Sequence, residues 1–200
     1  MADDAQDNAR RRIADAAITV IARDGLDALS IRRVASEAGV AIGTVQHHYP
    51  TRADLVVATL ERTARRQQAR AMGVPRSTTL FDTLTERLLT LLPHDEDSRQ
   101  EAIAWVALAA AAARDPIVGP IQRRIVSESI HGIAALLTQA INAEELPSVS
   151  DPIELAQRLD VIVDGYLLHT TAQHLTADPT TESRFRETLA AIAGCPTTPA

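Results

Sequence analysis

Between Ile31 and Arg52 the chain gathers three arginines and two histidines against a single acid, Glu37. Such a basic run suits a polyanion. Within it, Val40, Val45 and Tyr49 share one side of a short helical segment, and Ile42, Gly43, Thr44, Gln46 and His47 share the other. The second side carries small residues, a hydroxyl, an amide and an imidazole without a long acidic chain. Gly43 and Thr44 let backbone approach a duplex, Ile42 suits a thymine methyl, and Gln46 or His47 can donate to a base edge or a phosphate. Arg52 follows in the first turn of the next helix. The helix dipole favours an acid there, so its cation is read as a phosphate ligand.

These side chains need elements to present them. Ser30 is the expected N-cap of a helix whose Val34, Ala35 and Ala38 face inward, and Gly39 stands where that helix must end in a left-handed conformation. A break of only a few residues containing a glycine lets two helices cross steeply, as a helix-turn-helix requires. Pro50 ends the second helix near Ala41 to Tyr49. Thr51 with Asp54 then forms the start of a long one.

At these residues a resemblance is plain. The segment from about Arg11 to Leu60 resembles the N-terminal domain of the TetR family of bacterial transcriptional regulators. The family's recognition-helix pattern, Gly-Val-Ser-x-Gly-Thr-Leu-Tyr-x-His-Phe-x-Ser-Lys-x-x-Leu, is met in register by the residues from Gly39 to Leu55, His48 among them. Where the family carries a phosphate-contacting tyrosine and a lysine, this chain carries Gln46 and Arg52, both still donors. The resemblance also implies that Arg32 reaches DNA. A looser match to one C-terminal subgroup rests on Arg114 to Pro116 and Val163 to Gly165.

Two hundred residues allow a small domain plus a larger one. Aromatics make up only 2% against 46% hydrophobic residues, so Ala, Leu, Ile and Val must build the core. That composition favours helices. The net charge of −6 conceals an asymmetry: residues 1–70 hold 11 arginines and 9 acids, whereas residues 71–200 hold 9 arginines and 17 acids. Every one of the 20 basic residues is arginine, which reads as coding bias toward GC-rich codons. A lone Cys195 in a Pro-Thr-rich tail excludes an intrachain disulfide and fits a reducing cytoplasm. Neither a signal peptide nor an apolar run long enough to span a bilayer is visible, so a cytoplasmic protein without membrane partners is expected.

The periodicity predicts helices throughout and no strands: an all-α chain in which an N-terminal helix-turn-helix three-helix domain precedes an α-helical bundle for effector binding and dimerisation. The expected limits are 1–50 for the DNA-binding domain, 51–72 for a connecting helix, 73–194 for the bundle and 195–200 for a coil tail. The first eight residues read as frayed, Arg10 to Arg12 as a solvated helix start or an arm on DNA, and Arg62, Arg65, Arg66 and Arg70 as a solvated face. The helix ending near Ala143 carries two apolar stripes, Val126, Ile130, Ile133 and Leu137 beside Ile121, Ile125 and Leu136.

The two last long helices are apolar on more than one side, which makes them the expected surface of a homodimer, as the resemblance also implies. Two heads would then read an inverted-repeat operator in double-stranded DNA. The alanine-rich body resembles an effector domain, with Phe81, Leu84, Trp105, Glu128, Asp164 and His169 as residues to line a pocket for a small molecule. Its acids would suit a cationic or hydrogen-bond-donating ligand. No cofactor or metal is expected, because His94, Asp95, Glu96 and Asp97 are contiguous in a loop and do not converge. No nucleophile-His-acid spacing, phosphate-binding glycine loop or Glu-x-x-His pair suggests catalysis. The expected function is a ligand-released repressor. An activator of the same architecture and a dimeric scaffold without specific DNA binding are the alternatives.

Overall fold

The computed structural model describes residues 2–147 and 151–194. Cys195, the coil tail and residues 148–150 lie outside the described residues. Among the described residues the chain is helical without strands.

The elements run α1 (Ala2–Asp24), a single 3-10 turn (Leu26–Ala28), α2 (Ile31–Ala38), α3 (Ile42–His48), α4 (Arg52–Gly73), α5 (Leu80–Leu89), α6 (Glu96–Ala112), α7 (Val118–Asn142), α8 (Pro152–Ala172) and α9 (Pro179–Ala193). Where a fray was expected, α1 already runs from Ala2. Alanines at 2, 5 and 9 are strong helix formers, and acids near a helix start suit its dipole.

Local chemistry sets most of the other ends. Oxygens of Thr79, Asp151 and Asp178 accept from the backbone N–H of Asp82, Ile153 and Thr181, so α5, α8 and α9 each begin on a side-chain cap. Asp95 and Ser98 bond reciprocally at the start of α6, with Ser98 N–H 2.8 Å from Asp95 Oδ1. Gly194 ends α9 at φ 71°.

The helices pack into two compact units. One holds the residues up to Arg66 together with Gln100–Ile125. Its core joins Ile13, Ala17, Val20 and Ile21 of α1 with Val34 and Ala35 of α2, Val45 of α3, Leu55 and Leu60 of α4, Leu108 of α6 and Val118. The buried hydroxyls of Thr59 and Thr63 donate to the carbonyls of Leu55 and Thr59, at 2.6 and 2.9 Å, so neither enters the core unsatisfied. A buried acid, Glu101, sits 2.6 Å from Arg66 Nε, and Asp15 takes both Arg62 and Arg66 at 2.8 and 3.2 Å. The arginine run read as a solvated face is therefore corrected. Arg62 and Arg66 face protein, while Arg65, paired with Glu61, is exposed.

The other unit holds Gln67–Arg99 and the chain from Val126 onward. Phe81, Leu84, Leu88 and Leu92 meet Ile133 and Leu137 of α7, Leu155, Leu159 and Val163 of α8, and Phe185 and Leu189 of α9. Tyr166 meets Phe185 edge to face at 5.0 Å, and its hydroxyl lies 3.1 Å from Thr188 Oγ1. An ion pair between Arg186 and Glu86 ties α9 to α5. Along α7 the packing divides by position rather than by stripe: Ile121 and Ile125 belong with the first unit, and Ile130, Ile133, Leu136 and Leu137 with the second. On α8, Val161 and Leu168 are left 68% and 54% exposed.

Candidate nucleic-acid interface

The pair α2 and α3 is built by its caps. Ser30 Oγ accepts from Arg33 N–H, and Gly39 ends α2 at φ 63°, ψ 38°. In that conformation Val40 N–H reaches back to Ala35 O at 3.0 Å, closing the helix end and turning the chain at once. Val45 is fully buried and Tyr49 nearly so, which fixes the rotation of α3 against its unit. The opposite side follows from that rotation. Ile42, Gly43, Gln46 and His47 are exposed and Thr44 is half-buried.

Exposed cations on this unit divide by their partners. Arg33 pairs with Asp24 and Arg23 with Glu37, at 3.1 and 2.9 Å. Arg32, also exposed, has no acidic partner among the described residues. Arg52 donates from Nε to Leu29 O at 3.0 Å and from Nη2 to Leu26 O at 2.8 Å. Its place in the first turn of α4 thus has an intramolecular reason that sequence reading missed: it ties α4 to the strand of chain entering α2. The Thr51 and Asp54 box beside it is formed, with Asp54 N–H 3.1 Å from Thr51 Oγ1 and Thr51 N–H 2.9 Å from Asp54 Oδ2.

His47 and His48 meet at 5.1 Å in a T-shape. His48 is half-buried, and burial, with the charges of His47 and Arg10, holds its imidazole below the usual histidine range. Its Nδ1 is buried without a hydrogen-bond partner among the described residues.

Two features had no clear sequence signal. Tyr49 Oη donates to Arg10 O at 3.2 Å, while the Arg10 guanidinium lies 5.5 Å from the Tyr49 ring centre. Glu101 stands at the polar edge of the apolar run that begins at Ala102, and nothing local names Arg66 as its partner.

The six residues expected around an effector are divided between the units, Trp105 in the first and the others in the second. Phe81 and Leu84 are buried in the second unit's core, whereas Trp105 is half-buried against the core of the first. Glu128, Asp164 and His169 lie exposed on α7 and α8. Near Asp164 on α8, Asp160 is pushed up to about 6, by burial first and by the Asp164 charge second. His94 accepts a structural place, with Nε2 2.7 Å from Leu89 O. Among the described residues no group of three or more His, Cys, Asp or Glu side chains converges on a metal position, and no helix is long and apolar enough to cross a membrane.

Comparison with known proteins agrees along most of the chain. Residues 13–59 match the model for bacterial regulatory proteins of the tetR family, and residues 81–194 match the C-terminal domain of BetI-type transcriptional repressors. The regulator PksA of Bacillus subtilis is 25% identical over 161 residues, 80% of this chain and 77% of its own. The repressor KstR of Rhodococcus jostii is 33% identical over 75 residues, 38% of this chain and 35% of its own. A transcriptional regulator from Rhodococcus sp. Rha1 superposes with a TM-score of 0.80 at 28% identity, covering 95% of this chain and 99% of that one.

Proposed function

The chain belongs to the TetR family of bacterial regulatory proteins and is a transcriptional regulator; from that premise we propose that it represses transcription in the cytoplasm as a homodimer on an inverted-repeat operator, released by a small-molecule effector. The observation that carries this reading is the outward side of α3, where Ile42, Gln46 and His47 are exposed, with Arg32 on α2 exposed and without an acidic partner among the described residues. Ile42 and Gln46 read base edges, Gly43 and Thr44 permit close approach, and Arg32, His47, His48 and the remaining Nη1 of Arg52 meet the phosphate flank. Repression rather than activation is favoured by the repressor names of the C-terminal family model and of the KstR relative.

A second copy is the proposed cover for α8 and α9. Val161 and Leu168 stand exposed on α8, and Gly165 between them has open space where a Cβ would lie, which suits the close approach of a symmetry-related helix. Phe81, Leu84 and Trp105 remain the proposed apolar contacts of the effector. The exposed Glu128, Asp164 and His169 suit its polar groups or the dimer seam, and a cationic or hydrogen-bond-donating effector is the chemistry such acids favour. A ligand that prefers heads spaced wrongly for DNA must weaken DNA binding by the same coupling free energy with which DNA weakens ligand binding.

Fluorescence anisotropy with the chain's own upstream intergenic DNA tests the reading. Saturable, salt-sensitive binding that survives nonspecific competitor and is lost on changing both Ile42 and Gln46 to alanine is expected. Equal, competitor-sensitive binding by both proteins would contradict it.

A further inference from the structure

Three consecutive arginines, Arg10, Arg11 and Arg12, stand on α1, and the structure separates them. Arg11 is ion-paired with Asp7. Arg12 donates to Ala38 O at 3.2 Å, closing the end of α2. Arg10 alone has no acidic or carbonyl acceptor among the described residues, and it is exposed. It is nevertheless held: its guanidinium carbon lies 5.5 Å from the Tyr49 ring centre, and its own carbonyl accepts from Tyr49 Oη at 3.2 Å. Tyr49 directly follows α3, so the side chain and the backbone of Arg10 are both fastened to the end of that helix.

We infer that Arg10 is a phosphate-binding residue for the DNA strand flanking the groove that α3 enters, set in place by Tyr49. This rests on the DNA-binding reading given above. A guanidinium lying over an aromatic face keeps its N–H groups, which point outward in its own plane, free to donate. The aromatic platform also removes much of the rotamer freedom that a long surface arginine would otherwise lose on binding. His48 and Tyr49 beside it bring no negative charge to compete with a phosphate, and the acid one turn back on α1, Asp7, is taken up by Arg11. Arg10 thus supplies a full positive charge at the C-terminal end of α3.

The test is operator affinity against salt concentration for the unaltered protein and for Arg10→Ala, Arg10→Lys and Arg11→Ala, using the upstream intergenic DNA. A phosphate contact in each half of a dimer should reduce the slope of log K against log salt by about 1.8 and weaken binding at 0.15 M salt roughly 30-fold. Arg10→Lys should keep most of the slope, and Arg11→Ala should change it least. The preferred sequence should not change, because a phosphate contact carries no base information. If Arg10 serves only to brace Tyr49, Arg10→Ala leaves the slope at its unaltered value, with a lowered unfolding midpoint as the accompanying loss, and the assignment is overturned. If the unaltered protein itself shows no saturable binding, the repressor reading falls and takes this one with it.

Discussion

Arg62 and Arg66 lie one turn apart on α4 and reach Asp15 of α1 and Glu101 of α6, of which Glu101 is wholly buried. A buried acid is tolerable only while its charge is matched, so Glu101→Gln leaves Arg66 with reduced compensation. It should cost about 3 kcal/mol, read as a lower midpoint in denaturant. Arg65→Ala, at an exposed pair, should cost less than about 1 kcal/mol. From sequence alone these arginines looked alike, because the partner that distinguishes them lies far along the chain and no spacing rule connects them. Arg10 and Arg52 were equally illegible, since their acceptors are a ring and two carbonyls rather than acids. By contrast Ile42, Gly43, Gln46 and His47 were legible, because their exposure follows from the short helix on which Val45 is buried. Asp160 gives a pH prediction at the same scale. Its folded value is raised from 3.8 to about 6, so the folded state holds the proton more tightly than the unfolded chain. Stability should therefore fall as pH rises through that window and stay lowered above it. Asp160→Asn should flatten the dependence and raise the midpoint at pH 7, checked by thermal unfolding across pH. An unchanged profile would contradict it.

Glycines separate two kinds of constraint on the elements. At Gly39 nothing lies within reach of an added Cβ, but φ is +63°, so Gly39→Ala pays only for the left-handed backbone, about 1–2 kcal/mol. At Gly119, near the start of α7, an added Cβ would sit 2.8 Å from Ala112 O, a backbone atom that cannot swing away. Gly119→Ala should therefore destabilise, whereas Gly132→Ala, in open space on the same helix, should stabilise by up to about 1 kcal/mol through helix propensity. Parallel denaturation curves order the three. The turn between α6 and α7 is further fixed by Asp115, which accepts from Val118 and Ile117 and is held below the usual carboxylate range by those two bonds first and by Arg52 last. Caps of this kind were readable at Ser30 and Thr51, since an N-cap is decided by residues two or three positions away. The start of α1 was not, because a polar but alanine-rich sequence reads equally well as coil. The allegiance of Trp105 also escaped, since an all-apolar helix has no periodicity to say which face meets which core.

At the scale of the whole molecule, α4, α6 and α7 each contribute residues to both compact units. A helix of 22 residues such as α4 extends about 33 Å. The family was legible from Gly39 to Leu55 alone, and the matches over 13–59 and 81–194 extend it to most of the chain. The surface proposed for a second copy was legible only as an excess of apolar residues. The structure narrows the proposal to an exposed Val161 and Leu168, and replacing both with aspartate should give monomers in sedimentation velocity while leaving each chain helical. Weakened DNA binding should accompany that loss. The most direct test of the whole account is selection of bound fragments from a random DNA library by the purified, unaltered protein. The account predicts enrichment of one inverted repeat, its half-sites separated by about 34 to 36 Å or a multiple of that turn, and loss of the enriched bases in Gln46→Ala. Enrichment of a single unrepeated half-site, or of no sequence at all, would contradict it.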